Sequence, residues 1–251
     1  MSSRAVRRMP AAVVWIASLL MPWLAHGAEV KALLQAADRY RLAGESMLVN
    51  TKVELFRHGE LQRERRYTVY TRPGRRSLVL FRSPSEKGQK VLMLEDEFWI
   101  ILPTSQRPIR ITPLQKLIGD AATGDIATMT WSDDYDGVIA REEAVEGVPC
   151  VVLDLEARRK GVTYRRIVLT LARDDSRPVR ADLYVASDKL AKQAQFRLER
   201  RDGEWVVAAM MLKDLIQTGR ETLITYESRE PKALPVEYYN PMFLVRNDVV
   251  E

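Results

Sequence analysis

Four short apolar runs crowded into residues 65–110 constrain this chain more than any other feature: Tyr67–Thr71, Leu78–Phe81, Val91–Leu94 and Phe98–Leu102. Each ends in turn chemistry, at Arg72-Pro73-Gly74, Ser83-Pro84, Glu95-Asp96 and Pro103. Short β-branched and aromatic runs between such breaks predict antiparallel strands joined by hairpins. Val91–Leu94 and Phe98–Leu102 carry almost no polar residues, so both faces of those strands should meet apolar material. A meander this apolar has to be buried against helices, a second sheet or a ligand.

The flanks of the meander set its compartment. Arg4, Arg7 and Arg8 precede an apolar run from Ala11 to Leu20, and Ala25-His26-Gly27 follows. A basic start, a short apolar stretch and small residues two apart predict a secretory signal peptide over residues 1–27, shorter than the ~20 apolar residues of a spanning helix. Residues 28–251 then form one domain, expected in the periplasm. The leader also carries much of the charge. The whole chain has 39 Lys+Arg against 34 Asp+Glu, and without the three leader arginines 36 remain against 34, a net +2. Neither that charge nor the compartment suits a nucleic-acid partner. Cys150 is the single cysteine, so no internal disulfide forms, and stability must come from a core.

Val30, Leu33, Leu34, Ala37 and Tyr40 recur at helical spacing and predict an amphipathic helix from Ala28 to Arg41. Met47–Phe56 and Tyr67–Thr71 should pair about the turn Arg57-His58-Gly59-Glu60. Thr112-Pro113, the stripe Leu114, Leu117 and Ile118, and Gly119 read as a capped short helix. With Ile126, Met129 and Trp131 they suggest a helical insertion over Thr112–Trp131. Strands resume with Val138–Glu142, Cys150–Glu156, Val162–Ala172, Arg180–Ala186, Lys192–Glu199, Trp205–Leu215 and Arg220–Glu227. Glu146-Gly147, Lys160-Gly161, Asp174-Asp175 and Asp202-Gly203 supply the turns. In the later strands Val151, Leu153 and Leu155 share a face, as do Ile167, Leu169 and Leu171, and Ala194, Phe196 and Leu198. The expected class is therefore mainly β (α+β), with about ten to eleven antiparallel strands in one sheet that curls or closes and helices laid over its concave apolar side.

Catalytic chemistry has little to stand on. His58, the one histidine after the leader, falls in a hairpin turn, and Cys150 follows Pro149 at the start of a strand. Asp133, Asp134 and Asp136 lack the glycine and glutamate of a calcium loop. No Gly-rich phosphate loop is present. We expect no enzyme, no cofactor and no metal.

The strand ending Arg72-Pro73, the Ser83-Pro84 hairpin, VLMLEDEFWIILP, the basic RPIRI and the ending LPVEYYNPMFL together resemble the LolA-like outer-membrane lipoprotein-sorting family. The resemblance covers most of residues 28–245. It implies an unclosed β-barrel whose apolar cavity shields acyl chains of a lipoprotein or lipid in transit to the outer membrane. An inner-membrane transporter and an outer-membrane acceptor are the implied partners of a monomer. A lipid-sensing or accessory subunit of an envelope transporter or stress-signalling system is the alternative. On the strand patterns, the cavity-lining set is Val69, Leu80, Leu92, Trp99, Ile101, Leu153, Leu169 and Phe196, facing Leu117 and Ile118. Arg72, ending its strand before Pro73, matches the family arginine that holds the lid helices.

Overall fold

The computed structural model describes residues 21–41, 46–112, 116–118, 121–122, 125 and 130–249. Most of the expected leader, with Leu114, Ile126 and Met129, lies outside the described residues. The helix expected at Ala28 runs instead over Met21–Arg39 (α1), so its described length includes the expected cleavage site. No helix among the described residues is long and apolar enough to cross a membrane.

Two meanders follow. The first is β1 (Met47–Arg57), β2 (Glu60–Arg72), β3 (Arg76–Phe81), β4 (Lys90–Leu94), β5 (Glu97–Ile101) and β6 (Ile109–Ile111). The small pair β7 (Lys116–Ile118) and β8 (Ala121–Ala122) comes next. The second meander is β9 (Tyr135–Val145), β10 (Val148–Ala157), β11 (Arg166–Ala172), β12 (Pro178–Tyr184), β13 (Leu190–Arg201), β14 (Glu204–Asp214) and β15 (Arg220–Pro231). One antiparallel pairing, β1 with β15, welds the meanders into a 13-stranded sheet whose edges are β6 and β9.

Turn chemistry fixes this register. His58-Gly59, Glu146-Gly147 and Asp202-Gly203 each place two consecutive residues at positive φ. That backbone belongs to the tight hairpin turn that matches strand twist. The sheet exceeds the ten to eleven strands expected partly because Ile109–Ile111 adds an edge strand too short to show a pattern.

Flat, such a sheet would extend about 60 Å across its strands. Instead Phe98 and Val91, near one edge, share a single buried cluster with Tyr135 and Leu153 near the other. The sheet is curled, and α1 packs Val30, Leu34 and Ala37 onto its inner face. The edges remain unpaired, so the barrel is open.

The expected helix at Pro113–Ile118 is a correction: Lys116–Ile118 pairs with Ala121–Ala122 as a hairpin. A stretch of six residues before Gly119 has little helical stability of its own, so tertiary context decides its state. Toward the expected insertion's end, the helical residue Asp125 and the helix Trp131–Asp134 are described.

Candidate functional site

The inner face holds a cavity of about 50 Å³. Its apolar wall is Ile167, Ala181, Leu183, Ala194, Phe196 and Met210, and Trp131 of the short helix lines it beside them. That indole is buried, packs edge-on against Phe196 at 5.7 Å, and lies beneath the Arg41 guanidinium at 4.1 Å. Asp38 of α1 fixes the short helix from the other side. Its carboxylate accepts from the backbone N–H of Trp131 (3.0 Å) and of Ser132 (2.9 Å), capping the short helix. Burial raises the Asp38 pKa, against the lowering effect of Arg41 and of these amides.

A polar network sits in the same cavity. Tyr164 donates its hydroxyl to Asp125 (2.9 Å), and Lys192 Nζ donates to Asp125 (2.9 Å). The Tyr135 hydroxyl donates to the Tyr164 carbonyl (2.9 Å). Burial, then the Asp125 charge, pushes the Tyr164 hydroxyl well above its ordinary pKa, so it stays a donor. Sequence reasoning missed Lys192, although a signal was available: it stands two residues before Ala194, hence on the same inward face. Tyr164 was hidden differently. Residues 162–165 were expected in a strand, but β11 starts only at Arg166, and the chain before it turns Tyr164 into the cavity.

At the rim, one arginine bridges the two meanders. Arg75, at positive φ in the β2–β3 turn, pairs with fully buried Asp134 at the end of the short helix. Its Nη2 also donates to the Glu95 carbonyl (3.2 Å), Asp96 (3.2 Å) and the Gly161 carbonyl (3.4 Å). Burial lowers the Arg75 pKa, while Asp96 opposes the shift. A Cβ on Gly161 would lie 2.6 Å from the Asp96 backbone, so the meanders touch here. Gly161 thus serves close approach, where the sequence suggested only a hairpin turn.

The structure divides the sequence-derived cavity set. Val69, Leu153, Leu169 and Phe196 belong to the inner cluster. Leu80, Leu92, Trp99 and Ile101 lie on the opposite face, in a second cluster with Tyr70, Leu78, Leu234, Tyr239 and Leu244. Register is the reason: Val69 pairs with Val79, Val79 with Val91, and Val91 with Ile100. A one-residue offset moves every side chain to the other face. The inward residues of this meander are therefore Val79, Val91, Met93, Phe98 and Ile100. The expectation that both faces meet apolar material holds, with the C-terminal tail covering the outer one.

That tail is docked by specific polar contacts. Asn240 caps the helix Pro241–Arg246 by accepting from Met242 N–H at 2.9 Å. Buried Lys90 donates to the carbonyls of Leu244 and Asn247, both at 3.0 Å. Arg72 also faces this side, 5.8 Å from the Tyr239 ring. Holding the short helix therefore falls to Arg75, and Arg72 is corrected to a tail contact. Leu117 and Ile118 lie on β7, outside the large sheet, and their side chains are outside the described residues. His58 is exposed in its turn, and Cys150 is buried with its thiol on the Val148 carbonyl at 3.2 Å.

An open, curled antiparallel sheet with helices over its apolar inner face defines the LolA-like class. A LolA superfamily protein from Nitrosomonas europaea matches with TM-score 0.78 and 26% identity, over 84% of this chain and 96% of that one. A DUF1329 family protein from Desulfovibrio piger matches at TM-score 0.71 and 24% identity, over 86% and 97%. An outer membrane lipoprotein-sorting protein domain from Vibrio parahaemolyticus matches at 0.70 and 18%, over 86% and 98%. Within this class the chain belongs to the family whose model, described as "Uncharacterized protein", matches residues 74–246. No curated protein matches the sequence.

Proposed function

We propose that this protein is a periplasmic carrier that shields acyl chains of a lipoprotein or lipid inside the curled sheet, on the way toward the outer membrane, without catalysing a reaction. The observation that supports the reading best is a buried indole against an apolar wall: Trp131 lines the cavity and is held there by Asp38, Arg41 and, through Asp134, Arg75, and we read it as the cover. Lipid-sized pockets need about 300 Å³ or more. The present cavity of about 50 Å³ is far smaller, so loading displaces the indole. Val69, Leu153, Leu169 and Phe196, with Val79 and Val91, are the proposed acyl contacts.

Each CH₂ hidden from water contributes about 0.8 kcal/mol, so one chain of roughly 16 carbons is worth about 12 kcal/mol. That is enough to offset the opening of the cover and to hold the cargo until an acceptor receives it. Mass spectrometry of lipids retained by protein purified from its native envelope tests the proposal. Stoichiometric acyl lipid is expected. Protein that comes out empty, and binds no fluorescent fatty acid while folded, refutes it.

A further inference from the structure

We infer that the cavity takes an acyl chain ending in an anionic head, a carboxylate or phosphate monoester, received by the Arg41 guanidinium and the Thr163 hydroxyl. This rests on the carrier reading and narrows its cargo. The Arg41 side chain is only 10% exposed, and its Nη1 has no hydrogen-bond partner among the described residues. Its nearest acid, Asp38, stands 3.9 Å away, beyond hydrogen-bond range, with both carboxylate oxygens occupied by backbone amides. With the cover in place the guanidinium stacks on Trp131 and lines the cavity. Thr163, 2% exposed, lines the same cavity with its hydroxyl oxygen buried and unmatched.

Among the described residues, the Arg41 Nη1 and the Thr163 hydroxyl have no hydrogen-bond partner in one cavity, although Arg41 keeps its ion pair with Asp38, and such buried polar atoms are costly unless a ligand satisfies them. An anion suits both, because a guanidinium donates only and a hydroxyl can donate to an oxyanion. The acid that also lines the cavity, Asp125, is balanced by Lys192 and by the Tyr164 hydroxyl, so it does not close the site to anions. A cavity of about 50 Å³ accommodates a head group, and the wall of Ile167, Leu183, Phe196 and Met210 continues from it. A fully esterified lipid or an acylated amine would offer the guanidinium no hydrogen-bonding anion beyond its 3.9 Å ion pair with Asp38.

The test is displacement of the neutral probe N-phenyl-1-naphthylamine from the purified protein by dodecanoate, dodecyl phosphate and dodecanol. An anionic competitor is expected to act at about tenfold lower concentration than the alcohol. Which anion is stronger distinguishes a carboxylate from a phosphate source, and either result supports the inference. Arg41→Gln should remove the preference of anion over alcohol, whatever its effect on the cover and so on dodecanol, and Arg41→Lys should restore part of that preference. Thr163→Val, which leaves the Arg41 side chain in place, should weaken the anions alone by about threefold, and it serves if Arg41→Gln does not fold. Equal displacement by dodecanoate and dodecanol, or a preference that survives both variants, overturns the head-group site and leaves the carrier reading standing. Failure of the folded wild type to bind the probe overturns both.

Discussion

Replacing Trp131 by alanine should destabilise the protein and yet improve its binding. The indole is 6% exposed, lies edge-on to Phe196 and carries Arg41 on its face. Truncating a buried tryptophan costs about 3–5 kcal/mol. For a chain of this size each kcal/mol lowers Tm by about 2–4 °C, so a fall of about 10 °C is expected. The side chain removed is the one a ligand must displace in the wild type, so a cavity now near 50 Å³ is entered without that step. Affinity for N-phenyl-1-naphthylamine should rise at least about tenfold, the equivalent of about 1.4 kcal/mol of opening work no longer required. Saturating probe should then return much of the lost Tm, since a ligand at 100 times its Kd stabilises by about 2.7 kcal/mol. Scanning fluorimetry with and without probe, beside a direct titration, measures both quantities. If Trp131→Ala loses stability and gains no affinity, the indole is ordinary core and the cover mechanism is wrong.

Three further outcomes follow from the same geometry. Arg75→Met or Asp134→Leu alone should cost about 3–5 kcal/mol by stranding a buried charge, whereas the double variant should recover most of it; urea unfolding of all four proteins gives the coupling, and additive losses would remove Arg75 as the rim clamp. Leu92→Ala and Leu169→Ala should each cost about 2–5 kcal/mol, but only Leu169→Ala should change probe affinity, because Leu92 faces the tail; equal effects on binding would deny the division of the two faces. Asp38 has a folded pKa above its ordinary 3.8, so its contribution is fully present below that value and is lost as pH rises through the raised one. The Tm advantage of wild type over Asp38→Asn should therefore be largest in acid and shrink toward neutrality, and a gap that widens with pH would contradict the sign.

The sequence by itself determined most of the strands and several of their turns. Alternation in Val151–Leu155, Ile167–Leu171 and Ala194–Leu198 named the inward face correctly, since a strand with one wet side shows a period of two. His58-Gly59, Glu146-Gly147 and Asp202-Gly203 marked hairpins because positive φ restricts residue choice locally. Where both faces are apolar, as in Leu78–Phe81, Val91–Leu94 and Phe98–Ile101, alternation disappears and parity is undetermined. Only pairing across strands decided that Val79 and Val91 point inward while Leu80 and Leu92 meet the tail.

The site was less legible still. Lys192 carried a readable signal, a cation in phase with an apolar face. Asp38, Arg41, Arg75 and Asp134 carried none: the first two follow the stripe of a helix, and the others stand in polar turns, where charged residues are normally solvated. Their partners lie far off in sequence, Asp38 with Trp131 and Arg75 with Asp134. Such contacts exist only once the sheet curls and brings its two meanders together at Asp96 and Gly161. Local pattern reports what a residue prefers within a few positions; the curl, a sum of small twists over thirteen strands, decides which distant residues meet.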